Sequence, residues 1–289
     1  MYVRENRSEA EIASRAEPLF TFTHSQRASA MPPTRAATGG LYEELYARHN
    51  YHGFSRFTTG TTVARVVTED LKRFADRGVL DVGCSHGRVV QLLWMGGVKA
   101  SGVDVSATAI KSARKRLSRR ERRCAPDNNA ESCFQAAPAT ALPFADGAFD
   151  GIVSSDMLEH LLPSELPTMV TEFSRVAARF LLLQIATAPE KNKDPVERLR
   201  ASSKEFADVT TLHTTLMSPR EWTAAFTARG WSETGAWSTT DHKWLLLLLT
   251  RPNDEVGNVR PKLSGSLRFG PFANSSWARL DSPLSKSDG

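Results

Sequence analysis

A chain of 289 residues can bury a sizeable core as one domain, and its ordinary hydrophobic (40%) and charged (24%) fractions exclude a fibrous or wholly disordered protein. The longest apolar run, Trp244 to Leu249, is too short to cross a bilayer. Three cysteines without metal-type or disulfide-type spacing favour a reducing, intracellular and cytoplasmic location.

The formal net charge of +5 is concentrated largely in residues 111–123. Such a charge run is usually a solvated helix face, and this is the interpretation we favour. The alternative is a phosphate-binding surface, but no aromatic residue interrupts the run to stack on bases.

The two ends of the chain lack the patterns of a folded core. Residues 1–40 show no sustained apolar periodicity, and residues 253–289 are rich in Ser, Pro and charge, so both are predicted to be disordered. Arg and Ser in the first segment would also suit an organelle transit peptide, but its Glu residues argue against one. The folded domain is therefore predicted to span residues 41–252.

Between these ends, short β-type runs alternate with longer helical patterns. Strands are predicted at residues 78–82, 99–103, 133–136, 149–154, 180–185, 233–238 and 243–250. Helices are predicted at 62–76, 87–95 and 106–117, from 164 to about 177, and from 219 to 230 after a capping box at Ser218 and Glu221. This alternation predicts an α/β fold, a doubly wound, mostly parallel seven-stranded sheet with helices on both faces.

The most informative segment is the predicted first strand and the turn that follows it. The strand ends at Val82, and Gly83 and Gly87 would let a ligand approach the backbone just before a helix N-terminus. Asp104, at the end of the second strand, follows Gly83 by 21 positions. This spacing is typical of an acid that holds ribose hydroxyls in a nucleotide-binding crevice.

Further blocks follow in order: Leu142-Pro143-Phe144, Asp146-Gly147, Phe149-Asp150 and residues 156–161, Asp-Met-Leu-Glu-His-Leu. Together with the turn and Asp104, they resemble the class I S-adenosylmethionine-dependent methyltransferases of the small-molecule, type 11-like group, which have a Rossmann-like fold. The resemblance covers residues 41–252. It departs from the family at Ser85, where a Gly is usual, and at Pro138, where an Asp often binds the adenine amino group.

The resemblance implies S-adenosylmethionine (SAM) as cofactor and assigns parts of it to particular residues. Asp104 would hold the ribose, Val105 and Ala139 would contact adenine, and Ser155 would border the sulfonium. The turn would line the methionine part. The complete implied set is Asp81, Gly83, Cys84, Ser85, His86, Gly87, Asp104, Val105, Ala139 and Ser155.

Three polar residues are candidates for catalysis, namely Asp156, His160 and His213. The first two follow the fourth strand one helical turn apart, at the sheet edge where ligands bind in open α/β folds. The alternatives are structural: Asp156 caps the next short helix with His160 packed beneath it, and His213 is a buried, satisfied histidine. We expect no metal ion.

An aromatic and histidine cluster lies near the start of the predicted domain. It could form a lid over the cofactor, although an amphipathic helix packed on the sheet is the alternative we favour. The cluster comprises Tyr42, Tyr46, His49, Tyr51, His52 and Phe54.

These features predict methyl transfer to an O, N, S or C atom of a small-molecule acceptor. A nicotinamide-dependent oxidoreductase is disfavoured, because the turn lacks Gly-x-Gly-x-x-Gly spacing. A non-catalytic binding module stays open because of Ser85 and Pro138. A nucleic-acid methyltransferase using residues 111–123 lacks the Pro-Pro-Tyr-type or Pro-Cys motifs of such enzymes, and the oligomeric state is not indicated.

Overall fold

A computed structural model describes residues 35–49, 51, 60–117, 123–125, 133–189, 193–261, 263 and 277–280. These residues form an α/β fold around one eight-stranded sheet, in the order β3-β2-β1-β4-β5-β7-β6-β8. The strands are β1 (Val79–Val82), β2 (Ala100–Asp104), β3 (Phe134–Ala136), β4 (Phe149–Ser155), β5 (Ala177–Ala186), β6 (Ser232–Thr239), β7 (Trp244–Thr250) and β8 (Trp277–Arg279).

The strand pairs between β3 and β5 are parallel. The pairs β5–β7, β7–β6 and β6–β8 are antiparallel. Strand β1 lies between β2 and β4 and is parallel to both, so the strand order reverses beside it. A crevice at the carboxyl ends of the strands is expected at such a reversal point. The predicted turn after β1 and Asp104 at the end of β2 both lie at this edge.

Seven α-helices accompany the sheet in the described residues. They are α1 (Arg35–Arg48), α2 (Thr61–Val66), α3 (Arg88–Met95), α4 (Ala107–Leu117), α5 (Leu166–Val176), α6 (Asp194–Ser202) and α7 (Pro219–Thr227). The predicted capping box opens α7, because Ser218 Oγ accepts the Glu221 N–H and the Glu221 carboxylate accepts the Ser218 N–H. Helix α2 continues through one π turn and one 3₁₀ turn to Phe74, close to its predicted end.

The sheet separates two hydrophobic clusters, and the strand pleat divides the side chains between them. In β5, Phe180 and Leu182 join the cluster covered by α2, α3 and α4. Leu181, Leu183 and Ile185 join the opposite cluster, covered by α5 and α7. A continuous apolar strand is buried on both faces in this way, as the sequence predicted.

A third hydrophobic cluster lies apart from these two. Leu41 and Leu45 of α1 pack with Val196, Leu199, Phe206 and Leu212. We call α1 together with residues 193–215 the cap. The sequence predicted neither α6 nor the cap, because α6 presents only Val196 and Leu199 as buried positions and therefore shows little apolar periodicity.

The sheet has one strand more than predicted, and that strand belongs to a segment predicted to be a disordered tail. Strand β8 pairs antiparallel with β6. Val256 and Val259 of the same segment are buried against the core. The composition, rich in Ser and Pro, predicted that this segment would be disordered. Burial of these two apolar side chains stabilises the part of it that contains them. Helix α1 likewise begins six residues before the predicted boundary at 41.

The cysteine prediction was wrong at one pair. Cys124 and Cys133 are joined as a disulfide, with Cα atoms 5.1 Å apart, and Cys84 is free and buried. The two cysteines lie close together because they adjoin neighbouring strands. Cys133 directly precedes β3, and Ala125, next to Cys124, forms hydrogen bonds with Ser101 of β2.

The basic run begins on the outer face of α4. Lys111, Arg114, Lys115 and Arg116 are exposed there, while Ala113 and Leu117 face the core. This arrangement is the solvated helix face that we favoured for residues 111–117. Residues 118–122 lie outside the described part of the chain.

Within the described ranges, no helix has the length and apolar character needed to span a membrane.

Candidate functional site

The turn after β1 has an unusual backbone, in which three residues adopt positive φ values. Gly83, Ser85 and Gly87 have φ values of +82°, +50° and +79°. A β-carbon at Gly83 would lie 2.5 Å from Cγ of Met157, so this position needs both the conformation and the size of glycine. Ser85 adopts a left-handed conformation, which is uncommon for a residue other than glycine and has a modest energetic cost.

Asp104 is the central polar group of this edge. Its Oδ2 accepts the Ser85 N–H at 2.9 Å and its Oδ1 accepts the Ser106 N–H at 2.9 Å. A carboxylate has about four lone-pair sites, so each oxygen can still accept one more hydrogen bond. Burial raises the pKa of Asp104 to about 6, although the two backbone N–H groups favour its charged form.

Asp81 lies one layer below the turn and is 2% exposed. Its Oδ2 is buried and has no hydrogen-bond partner among the described residues. Burial, and then the negative charge of Asp104, raise the pKa of Asp81 to about 8. The negative charge of Asp104 thus disfavours the charged form of Asp81, and a cation bound beside them would reduce this penalty.

A cavity of about 460 Å³ opens over this edge of the sheet. Six of the predicted site residues line it, namely Gly83, Asp104, Val105, Ala139, Asp156 and His160. Val105 is 38% exposed there, one of only two large apolar side chains exposed in the described chain. The cavity therefore joins an acidic group, an accessible apolar surface and a turn without side-chain obstruction.

The other predicted residues lie behind the cavity wall. Cys84 packs against Gly102, and Gly87 is required because a β-carbon there would meet the Phe134 ring at 2.8 Å. His86 is buried, its ring lies edge-on to Tyr46, and burial lowers its pKa. These positions shape the turn and its packing, and none of them is among the residues that line the cavity.

Ser155 and His213 also lie outside the cavity wall. Ser155 ends β4 beside Gly60, whose β-carbon position is 3.6 Å from the Ser155 Oγ. The His213 ring lies edge-on to the His160 ring, with centroids 4.9 Å apart. Of the predicted catalytic residues, Asp156 and His160 therefore reach the cavity directly, and His213 reaches it through His160.

Two tyrosines of α1, and a third that follows the helix, form the roof of the cavity. Tyr42, Tyr46 and Tyr51 all line it. Burial and the negative charge of Asp104 hold the pKa of Tyr46 well above its ordinary value, and its hydroxyl forms a hydrogen bond with Ser85. The lid interpretation of the aromatic cluster fits these three residues, and α1 packs on the cap helix α6 instead of on the sheet. His52 and Phe54 lie outside the described residues.

Glu43 fixes this roof to the sheet edge. Its carboxylate accepts hydrogen bonds from the Ser106 hydroxyl at 2.7 Å, the Thr108 N–H at 3.2 Å, and the Thr108 hydroxyl. Burial raises the pKa of Glu43, but these hydrogen bonds outweigh it and leave the pKa below its ordinary value. Glu43 was not predicted from the sequence, because contacts between residues more than 60 positions apart have no local sequence signal.

The carboxyl end of β4 carries the polar groups of the opposite wall. Asp156 has a φ of +54°, a conformation that Asp tolerates better than most residues. It is followed by a 3₁₀ turn, Leu158–His160, in which Glu159 is fully buried. Burial, reinforced by the charge of Asp156, raises the pKa of Glu159 well above its ordinary value.

Comparisons with known proteins agree with this geometry. Residues 79–179 match the model of a family described as "Methyltransferase domain". Norajmaline N-methyltransferase of Rauvolfia serpentina is 27% identical over 186 residues, which cover 57% of this chain and 60% of that enzyme. The chain spans about half the length of the relatives that it matches.

Two solved structures share the fold. One is Burkholderia thailandensis 1,6-didemethyltoxoflavin-N1-methyltransferase with bound 1,6-didemethyltoxoflavin and S-adenosylhomocysteine, with a TM-score of 0.55, 15% identity, and coverage of 78% of this chain and 92% of that one. The other is the [4+2]-cyclase SpnF, also with a TM-score of 0.55 and 15% identity, covering 78% and 99%. The Rossmann-like fold predicted from the sequence is confirmed.

Proposed function

We propose, from the match of residues 79–179 to a family described as "Methyltransferase domain", that the protein transfers a methyl group from SAM to an O, N, S or C atom of a small-molecule acceptor. The main support for this proposal is the position and hydrogen bonding of Asp104. This residue is a buried carboxylate at the end of β2, fixed by two backbone N–H groups, with acceptor capacity left and with access to the cavity.

The residues present fit the parts of SAM. Each Asp104 oxygen can accept one ribose hydroxyl, and the exposed Val105 side chain offers an apolar surface for the adenine ring. Gly83 leaves room for the amino-acid part to approach the backbone. Pro138 and Thr140 also line the cavity. At Pro138, where the family often has Asp, the chain supplies only main-chain and apolar contacts.

The charge of the site also suits this molecule. SAM supplies an activated methyl group on a positively charged sulfonium. Asp104 and Asp156 place carboxyl groups on the cavity lining, and Asp81, buried on β1, has an oxygen without a hydrogen bond among the described residues. A cation favours the charged forms of these acids, so its binding offsets part of the cost of burying them.

The chain's own contribution to the reaction is mainly positioning. Holding the acceptor atom in line with the methyl group removes entropy from the barrier. The roof tyrosines, anchored through Glu43, limit the access of water to the cavity. Asp156 and His160, on the opposite wall, are the residues that would orient the acceptor or accept its proton.

The lining of the cavity favours a small acceptor over a nucleic acid. No Lys or Arg lines it in the part of the chain that the structure describes. A polyanionic substrate would need cations to neutralise its phosphates. Tyr42, Tyr51, Met157 and Leu161 instead offer aromatic and apolar surface, which suits a largely apolar organic acceptor.

The affinity for SAM should depend on pH through Asp104. Its pKa of about 6 in the free protein means that the carboxylate is ionised at pH 7.5 and mostly protonated at pH 5. Since the ionised form accepts the ribose hydroxyls, the affinity should fall by roughly tenfold as the pH decreases over this range. Calorimetric titrations across the range test this expectation, and an unchanged affinity down to pH 5 would contradict it.

Methyl transfer itself is tested with SAM labelled on its methyl group. Purified full-length protein, incubated with a cell extract, should move label into compounds of low molecular mass. Asp104→Ala should move none, and the exposed Glu69→Ala variant should match the unmodified protein. Label appearing in nucleic acid would overturn the acceptor class, and SAM binding without any transfer would favour a non-catalytic module.

A further inference from the structure

A cluster of three ligand-type side chains joins the acceptor wall of the cavity to the cap. Glu159 and His160 belong to the 3₁₀ turn after β4, and His213 comes from the cap. One ligand atom from each of the three lies within 4.8 Å of the others. We expected no metal ion from the sequence, in which His213 is far from the other two residues.

Backbone carbonyl groups set the orientation of both histidine rings. Nδ1 of His160 lies 2.9 Å from the Leu212 carbonyl oxygen, and Nδ1 of His213 lies 3.0 Å from that of Ala188. A carbonyl oxygen only accepts, so each Nδ1 carries the proton. The lone pair of each neutral ring is then on Nε2. Metal-binding histidines are commonly oriented by this arrangement.

Glu159 supplies an oxygen whose position is otherwise unexplained. The residue is fully buried, and its Oε1 accepts the Ala186 N–H at 3.2 Å. Its Oε2 is buried without a hydrogen-bond partner among the described residues. A buried carboxylate oxygen left unpaired costs free energy, whereas coordination to a cation would satisfy it.

We propose that Glu159, His160 and His213 bind one divalent transition-metal ion, such as Zn²⁺ or Mn²⁺, at the acceptor side of the cavity. Two imidazole nitrogens and one carboxylate oxygen suit these ions, while Mg²⁺ prefers oxygen ligands alone. Metal–ligand distances of about 2.1 Å place the donor atoms of a tetrahedral site about 3.4 Å apart. The three groups, which lie within 4.8 Å of one another, therefore need to approach by up to about 1.4 Å through side-chain rotation.

The site would select the acceptor, and this part of the inference rests on the proposed function. His160 lines the cavity, so an open coordination position of the ion would face the acceptor. An acceptor hydroxyl bound there has a lowered pKa and releases its proton to water. Its oxygen then forms the new bond to the methyl carbon as the bond from that carbon to sulfur breaks, and S-adenosylhomocysteine leaves. Oxygen acceptors are favoured accordingly.

Metal binding can be measured without any turnover. Full-length protein freed of metal by chelation is titrated with Co²⁺, whose visible absorption reports coordination by nitrogen and oxygen. One Co²⁺ per chain should bind and should be displaced by Zn²⁺, with no displacement by Mg²⁺ at equal concentration. Absence of a saturable Co²⁺ spectrum in the folded wild-type protein would overturn the site.

Variants locate the bound ion. His213→Ala and Glu159→Gln should each weaken Co²⁺ binding at least tenfold, whereas His242→Ala, at an exposed turn, should not change it. His213→Gln, with folding checked by thermal unfolding, replaces His213→Ala if the latter is unstable. Unchanged Co²⁺ affinity in the folded His213 and Glu159 variants would refute the assignment. SAM titrations of the same proteins separate this result from the proposed function, because a variant that loses the metal but still binds SAM retains the cofactor site.

Discussion

Asp104→Ala is expected to weaken SAM binding at least 100-fold, to the limit of calorimetric detection. The substitution removes both acceptors for the ribose hydroxyls, and hydrogen bonds to a charged group contribute about 1.5–3 kcal/mol each. It also releases the Ser85 and Ser106 N–H groups that the carboxylate holds, so the turn loses its fixed geometry.

Two further variants separate binding from folding. Asp104→Asn retains one acceptor oxygen without charge, so its affinity should lie between those of the wild type and Asp104→Ala. Glu69→Ala removes an exposed carboxyl group from the turn after α2 and should bind SAM normally. Near-normal affinity in a folded Asp104→Ala protein would exclude the ribose role of this residue.

Gly83→Ala is expected to lower the free energy of unfolding by about 2–4 kcal/mol and to weaken SAM binding strongly. An L-residue at a φ of +82° costs about 1–2 kcal/mol. The added β-carbon would lie 2.5 Å from Cγ and 2.7 Å from Cβ of Met157, so the segment after β4 must move. That movement would displace both the turn and the neighbouring Asp156. Thermal and urea unfolding give the stability, and calorimetry gives the affinity.

Gly230 provides a matched control for the backbone strain. It has a φ of +81°, and a β-carbon added there would meet no atom within 4 Å. Gly230→Ala should therefore show only the cost of the left-handed conformation and leave SAM binding unchanged. Met157→Ala combined with Gly83→Ala should recover part of the stability. Equal losses in Gly83→Ala and Gly230→Ala would contradict the steric argument.

The sheet and its ligand-binding edge were predictable because their signals are local. Apolar runs at β1, β4 and β5 mark strands buried on both faces, and glycine spacing marks the turn between β1 and α3. Asp104 was found because its distance from Gly83 is set by the length of one β-α-β unit. Only six of the predicted site residues line the cavity, since neighbours such as Cys84 alternate between the crevice and the core.

The cap, the roof and the metal-type cluster depend on contacts that the sequence does not encode locally. Helix α6 is short and mostly polar, and it is stabilised by packing against Leu41 and Leu45 of α1. Glu43 and His213 find their partners only after the sheet has brought distant segments together. Strand β8 was missed for a related reason, because its three residues are stabilised by pairing with β6.

The most direct measurement is a crystal structure of the full-length protein with S-adenosylhomocysteine. The account predicts both ribose hydroxyls within hydrogen-bond distance of the Asp104 carboxylate. It also predicts adenine against Val105 and the amino-acid end beside the Gly83 turn. A nucleoside bound elsewhere, or an Asp104 side chain that makes no contact with a ligand filling the cavity, would contradict the central claim.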